Sequence, residues 1–242
     1  SPAIRKAIDL AKVVAPVDTT VLILGESGTG KELVARALHK NSPRRGGPFV
    51  AVNCAAISKE LVESELFGHT KGAFTGAFER KRGRFERADG GTLILDELAT
   101  ISLRMQEKIL RTIEYGEIQR VGGNETLRVD VRIVGSTNAD LQALAAEGRF
   151  RKDLLDRLAF DVITVPPLRE RAGDVEVIAE SSLEALAARN ILGGYDLSQD
   201  YPELGNAILV CATELRTEEE IMAYRAALQE VLAVETLHKE IA

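Results

Sequence analysis

The seven residues Gly25-Glu26-Ser27-Gly28-Thr29-Gly30-Lys31 constrain the fold of this chain more than any other stretch. They follow a short apolar run, Thr20-Val21-Leu22-Ile23-Leu24, and precede a helical pattern over 32–40. Strand, glycine-rich loop and helix in that order fit G-x-x-x-x-G-K, in which backbone N–H groups curl around phosphates and the helix N-terminus faces them. Lys31 would add a point charge at the β- and γ-phosphates. After the lysine stands Glu32, where Ser or Thr usually serves Mg2+. On this pattern alone a plain glycine turn is an open alternative.

Further apolar runs over 48–53, 91–96, 131–137 and 160–166 read as buried strands. Nearly continuous Val/Ile/Leu strands separated by helices imply an α/β fold with a parallel five-stranded sheet covered on both faces. Ligands of such sheets bind beyond the carboxyl ends of the strands. One strand, Leu93-Ile94-Leu95-Asp96-Glu97, ends in two carboxylates. Asp96 is placed to hold Mg2+ through its water shell, and Glu97 to orient or deprotonate an attacking water. The bland role for this pair is the N-cap of a following helix, but both strand-end motifs in this order favour ATP hydrolysis over a glycine turn. Asn138 stands just past another strand, where a polar side chain can reach the γ-phosphate or the water. Arg151 and Arg157 flank Asp153-Leu154-Leu155-Asp156 on an expected helix. Most surface arginines are simply solvated, yet one reaching a neighbouring subunit's γ-phosphate is worth roughly 10³–10⁵ in rate.

Composition narrows the function classes. A net charge of −6 and a pI near 5.3 do not indicate a broad nucleic-acid-binding surface. Cys54 and Cys211 form no disulfide framework, which fits a reducing cytoplasm, and His39, His69 and His238 form no ligand motif. No stretch is long and apolar enough to span a bilayer. The chain's 242 residues suffice for one α/β domain with a small appendage. Its character changes after Glu180, where a helix over 182–189, an extended segment over 191–195, a strand over 207–212 and a helix capped by Thr217 are expected.

The run Glu65-Leu66-Phe67-Gly68-His69, followed by Gly72-Ala73-Phe74-Thr75-Gly76-Ala77, resembles the signature of the bacterial enhancer-binding activators of sigma-54 RNA polymerase, a branch of the AAA+ ATPases. The likeness covers 1–180. It includes Gly25 to Glu32, since that branch itself has Glu after the lysine, and Phe85-Glu86-Arg87-Ala88-Asp89-Gly90-Gly91. It also takes in Val121-Gly122-Gly123, Phe150-Arg151-Lys152-Asp153-Leu154-Leu155 and Pro166-Pro167-Leu168-Arg169-Glu170-Arg171. Asp96-Glu97-Leu98-Ala99-Thr100 with Asp156-Arg157-Leu158-Ala159-Phe160 is most similar to the phage-shock branch. The resemblance implies ATP and Mg2+ as cofactors and a ring, expected to be a hexamer. It implies that 72–77 tip a loop that grips sigma-54 through Phe74 and Thr75, and that Arg151 and Arg157 act across subunits. It makes Asn53 the residue that restrains Glu97 until the partner is engaged. A cytoplasmic location is expected, with no sequence-specific DNA binding by this chain.

Residues 181–242 depart from that family. Its helical lid carries Trp-Pro-Gly-Asn-x-Arg-Glu-Leu, and this sequence has no tryptophan. Asn190-Ile191-Leu192-Gly193-Gly194-Tyr195-Asp196-Leu197, Tyr201-Pro202-Glu203-Leu204-Gly205-Asn206 and Leu209-Val210-Cys211-Ala212-Thr213-Glu214 are instead similar to the C-terminal end of the first subunit of the decarboxylating glycine dehydrogenase. No pyridoxal-binding lysine motif accompanies them, so no such activity is expected. The expectation is a chimera, natural or constructed, of a 1–180 ATPase core and a 181–242 α/β tail replacing the lid. Two alternatives stand beside a remodelling ATPase: a nucleotide-binding core that no longer remodels, and a structural fragment of the decarboxylase.

Overall fold

The computed structural model describes residues 1–175, 177, 178, 195, 196, 208, 209 and 222. The chain divides into two compact units, Pro2–Glu170 and a second made of Ser1 with Arg171–Ala242. In the second, the terminal amino group and hydroxyl of Ser1 both bond the Asp174 carboxylate, and Tyr195–Asp196 pairs antiparallel with Ile208–Leu209. The helices expected over 182–189 and from Thr217 lie outside the described residues.

In the first unit the chain runs α1 (Pro2–Val14), β1 (Val21–Leu24), α2 (Lys31–Lys40), β2 (Phe49–Asn53), α3 (Val62–Phe67), β3 (Gly68–His69), β4 (Lys81–Arg82) and α4 (Arg84–Arg87). It continues through β5 (Thr92–Asp96), α5 (Leu103–Tyr115), β6 (Glu117–Gln119), β7 (Thr126–Arg128), β8 (Arg132–Thr137), α6 (Leu141–Ala146), α7 (Lys152–Leu158) and β9 (Asp161–Thr164). The five strands read from the sequence form one sheet in the order β2-β5-β8-β1-β9, and every pairing in it is parallel. The sequence reading of an α/β parallel sheet is therefore correct in strand number and direction.

Alternation along each strand divides the core into two layers. Val21, Ile23, Ile94, Val134 and Ile163 pack with Ile4, Ala11, Val34 and Leu38 of α1 and α2. Leu22, Leu93, Leu95 and Ile133 pack on the other face with Leu98, Ile109, Leu154 and Leu158. The helices match this by spacing: α1 buries Ile4, Ala7, Ile8, Ala11 and Val14, one face of a 3.6-residue period. Arg132, itself buried, then ties α1 to the sheet by donating to the carbonyls of Val14, Ala15 and Thr19 at 3.1, 2.8 and 3.0 Å. Carbonyls at a helix C-terminus have no partner within the helix, so a guanidinium is well matched to them.

Parallel pairing sets the strand ends in line. Asn53 is in register with Asp96, Leu95 with Gly135 and Leu24 with Thr137. The segments after β1, β2, β5 and β8 thus leave from one edge of the sheet. Two short antiparallel hairpins, β3–β4 and β6–β7, lie outside the sheet.

Candidate functional site

The loop between β1 and α2 is held by its own polar groups. The Lys31 ammonium donates to the Gly25 and Glu26 carbonyls, both at 2.9 Å, and the Thr29 hydroxyl donates to the Glu26 carbonyl at 2.9 Å. Gly30, at φ 88°, forms the N-cap of α2 in left-handed backbone, a conformation that costs residues with a Cβ about 1–2 kcal/mol. Lys31 is buried, whereas Ser27 and Gly28 are exposed at the tip. Glu32 is exposed and pairs with Arg36 one turn on, at 2.6 Å. Glu26 meets Arg169 in a two-pronged ion pair, which draws the carboxyl below its ordinary value.

Asp96 ends β5 beside this loop's helix layer, since it alternates with Ile94. Its Oδ1 is buried and has no hydrogen-bond partner among the described residues. Burial pushes the nearby Cys54 thiol up to about 12, and the Asp96 charge adds to that. A buried, unsatisfied carboxylate oxygen is the donor type a hard divalent cation takes, and Mg2+ needs only one or two carboxylates when phosphates supply the rest. Asp96 therefore fits Mg2+.

Glu97 follows at φ 51° and ψ 44°, in the N-cap position of the 3₁₀ turn Leu98–Thr100, but its side chain makes no cap bond there. The cap of α5 is Ser102 instead, whose Oγ accepts from the Met105 N–H at 3.4 Å. Among the described residues Glu97 is the sole non-glycine at positive φ. Asn53, in register with Asp96, uses its Oδ1 to accept from the N–H groups of Ala55 at 2.9 Å and Ala56 at 3.2 Å. That leaves its amide N–H2 as the part able to reach a carboxylate. Asn138, exposed just after β8, lines a largely apolar cleft of 1060 Å³ with Gly25, Glu26 and Thr137.

Arg151 and Arg157 bracket one helix, α7. Arg151 is the N-cap of α7 and Arg157 lies in its last turn. Lys152, Leu155, Asp156 and Ala159 face the cleft, and Arg157 lies roughly 200° around the helix from Leu155. Its guanidinium meets Glu114 of α5 at 3.2 Å. Arg151 forks Asp153, with Nη2 to Oδ2 at 2.6 Å. A residue the sequence did not single out fixes its backbone: buried Gln106 accepts from the Arg151 N–H at 2.7 Å and donates to the Ile101 and Arg149 carbonyls. Arg157 thus turns from the chain's own cleft toward α5, while Arg151, outside the cleft lining, is held at the start of α7 by Asp153 and Gln106.

Gly72 to Ala77 tip the loop between β3 and β4, closed by the Gly72 N–H donating to the Ala77 carbonyl at 2.8 Å. Thr75 is exposed. Phe74 is only 38% exposed because its ring stands edge-on to His69, centroids 5.0 Å apart. His69 is buried, with Nδ1 2.7 Å from the Ser64 hydroxyl. Further along, Phe78 is 82% exposed. The second hairpin buttresses the first: the Thr70 N–H donates to the Val121 carbonyl at 3.0 Å and Val121 returns a bond to Gly68 at 2.9 Å. Beneath both, Arg120 and Glu86 are buried and forked, at 2.8 and 2.5 Å. Burial, the largest single influence, would raise the Glu86 carboxyl, but Arg120 together with the Gly83 N–H and Arg82 outweighs it and holds the group below its ordinary value.

A family model described as the sigma-54 interaction domain matches residues 1–164. The Psp operon transcriptional activator of Escherichia coli K12 is 63% identical over 166 residues, 69% of this chain and 51% of that protein. The anaerobic nitric oxide reductase transcription regulator NorR of Escherichia coli O81 is 46% identical over 238 residues, 92% of this chain and 47% of its own. The crystal structure of NtrX from Brucella abortus in complex with ATP superposes with a TM-score of 0.71 at 34% identity, over 99% of this chain and 52% of that one. The chain spans about a third to a half of the length of the curated relatives it matches.

Proposed function

The chain belongs to the sigma-54 interaction domain family, and we propose that it binds and hydrolyses ATP to remodel sigma-54 RNA polymerase and activate transcription. One observation carries this reading: the Gly25–Lys31 loop and the Asp96–Glu97 pair leave the same edge of one parallel sheet, beside Asn53 and Asn138. Lys31 and the loop N–H groups hold the phosphates. Asp96 would hold Mg2+, which when bound neutralises charge on the phosphoryl oxygens. Glu97 orients the attacking water and takes its proton, and Asn138 faces the γ-phosphate side. The Asn53 amide holds Glu97 back until the partner is engaged.

Arg151 and Arg157 act on the neighbouring subunit's nucleotide in a ring, a hexamer in this reading. What supports it is that neither residue lines the chain's own cleft and that Arg157 turns toward Glu114. Phe74 and Thr75 are the sigma-54 contact at the hairpin tip, and location in the cytoplasm follows from that partner.

Two substitutions test the reading. Lys31→Ala should abolish ATP binding in a titration with the full chain, and retained affinity would remove the loop's role. Thr75→Ala should keep ATP turnover within about twofold while sigma-54 open-complex formation is lost; a variant that still opens promoters would remove the contact role.

We further propose a 1–180 core and a 181–242 tail that takes the place of the family's lid, as part of a chimera with a glycine-decarboxylase-like segment. Its support is the sequence of 181–242 alone; the NorR match, at 92% of the chain, runs past residue 180 and weighs against it. Replacing 181–242 by the lid of the Psp operon activator should raise ATP turnover; equal turnover before and after would overturn the proposal.

A further inference from the structure

Glu26 places a carboxylate in a loop built to receive an anion. Arg169 closes a fork on it, Nη1 to Oε2 at 2.7 Å and Nη2 to Oε1 at 2.6 Å. The two residues are 143 positions apart in the chain. Their meeting is set by the backbone that carries Arg169. The Val165 N–H donates to the Leu24 carbonyl at 2.7 Å, extending the line of β9 along β1. Gly25 passes so close that a Cβ there would lie 2.8 Å from the Val165 carbonyl oxygen. Pro166 and Pro167 then restrict φ over the next two residues, and the turn Leu168–Glu170 presents the guanidinium. The segment 165–170 is thus laid along the phosphate loop by contacts independent of the fork.

Both side chains are largely exposed, and exposed pairs add little to folding stability. The effect of this pair falls instead on what the loop binds. A free carboxylate at Glu26 would repel a triphosphate whose charge the loop is shaped to hold, and the planar, always-charged guanidinium is the group that cancels it in a fixed geometry. We propose that Arg169 is a positioning residue for the nucleotide: by forking Glu26 it neutralises the phosphate loop's own negative charge and holds the loop open to the triphosphate. This rests on the ATP reading of the site.

The experiment is ATP binding and steady-state hydrolysis by the full chain, in four forms: parent, Arg169→Ala, Glu26→Gln and the double variant. Arg169→Ala should raise Kd and KM roughly fivefold, the scale of one partly screened unit charge, with kcat little changed. Glu26→Gln should tighten binding, because Arg169 is then released toward the phosphates. The double variant should return to within about twofold of the parent, and the Arg169→Ala penalty should shrink in high salt. An Arg169→Ala variant that binds like the parent would overturn the inference. So would a double variant as weak as Arg169→Ala alone, since loss of packing or of a direct phosphate contact is not rescued by removing Glu26. A parent chain that binds no ATP, or a Lys31→Ala chain that binds it unchanged, would sink the ATP reading itself and is recognised separately.

Discussion

At Glu97 the backbone sits at φ 51° and ψ 44°, a region in which a Cβ-bearing residue is strained by about 1 kcal/mol. Strain of this kind survives where neighbouring structure fixes it, and it clusters at reactive sites. Here it sits between the end of β5 and the 3₁₀ turn Leu98–Thr100, and its side chain makes no cap bond to that turn. The expected consequence is a separation of stability from activity. Glu97→Gly should stabilise the fold by about 1 kcal/mol in urea unfolding while lowering ATP turnover by about 10² or more. Glu97→Gln should keep ATP affinity yet lose turnover to the same degree, and unchanged turnover would remove Glu97 from the chemistry. The sequence made Asp96 and Glu97 legible because an apolar strand ending in two carboxylates is a local pattern. It could not convey the left-handed backbone, nor the unpartnered Asp96 Oδ1, because both arise from how the strands around them end.

Among the elements, legibility follows length and composition. The five sheet strands were readable because each is a run of β-branched and aliphatic residues. The two hairpins were not, since strands of two and three residues carry no period. Yet they determine how the Gly72–Ala77 tip is presented. Gly122 shows the dependence: at φ 73°, a Cβ there would lie 2.6 Å from the Ala73 Cβ. Gly122→Ala should displace the tip, keeping ATP turnover within about twofold while sigma-54 binding falls; intact binding would mean that the tip does not rely on the second hairpin. The shielding of Phe74 by His69 was equally unreadable, because it links a buried imidazole to a loop residue through a turn of no fixed pattern.

The buried Glu86–Arg120 pair anchors both hairpins and carries a pH signature. The folded Glu86 carboxyl lies below its unfolded value of 4.5. Its contribution is therefore complete at neutral pH and is lost as pH falls from about 4.5 through the folded value. Glu86→Gln should flatten that acid limb in unfolding titrations and cost roughly 3 kcal/mol at pH 7, because Arg120 is left buried without its counter-charge. An acid limb as steep as the parent's would assign the pH dependence to other carboxylates.

For the whole molecule, the decisive feature is that neither arginine lines the chain's own cleft, Arg157 meeting Glu114 of α5 and Arg151 held through Gln106 and Asp153. Sequence reasoning singled out both residues as flanking one expected helical stretch, and the family resemblance gave them a role across subunits. The structure makes Arg151 a cap and Arg157 a helical residue: Gln106 engages the Arg149 carbonyl and the Arg151 N–H, and the helix begins at Lys152. On the proposed reading, hydrolysis depends on a second copy that supplies Arg151 and Arg157. The most direct test is ATP hydrolysis per subunit across a wide range of protein concentration, for the parent and for Arg157→Ala. Specific activity that climbs with concentration in the parent and stays near the floor in Arg157→Ala is the expected result. Specific activity independent of concentration, with Arg157→Ala as active as the parent, would contradict hydrolysis shared between subunits.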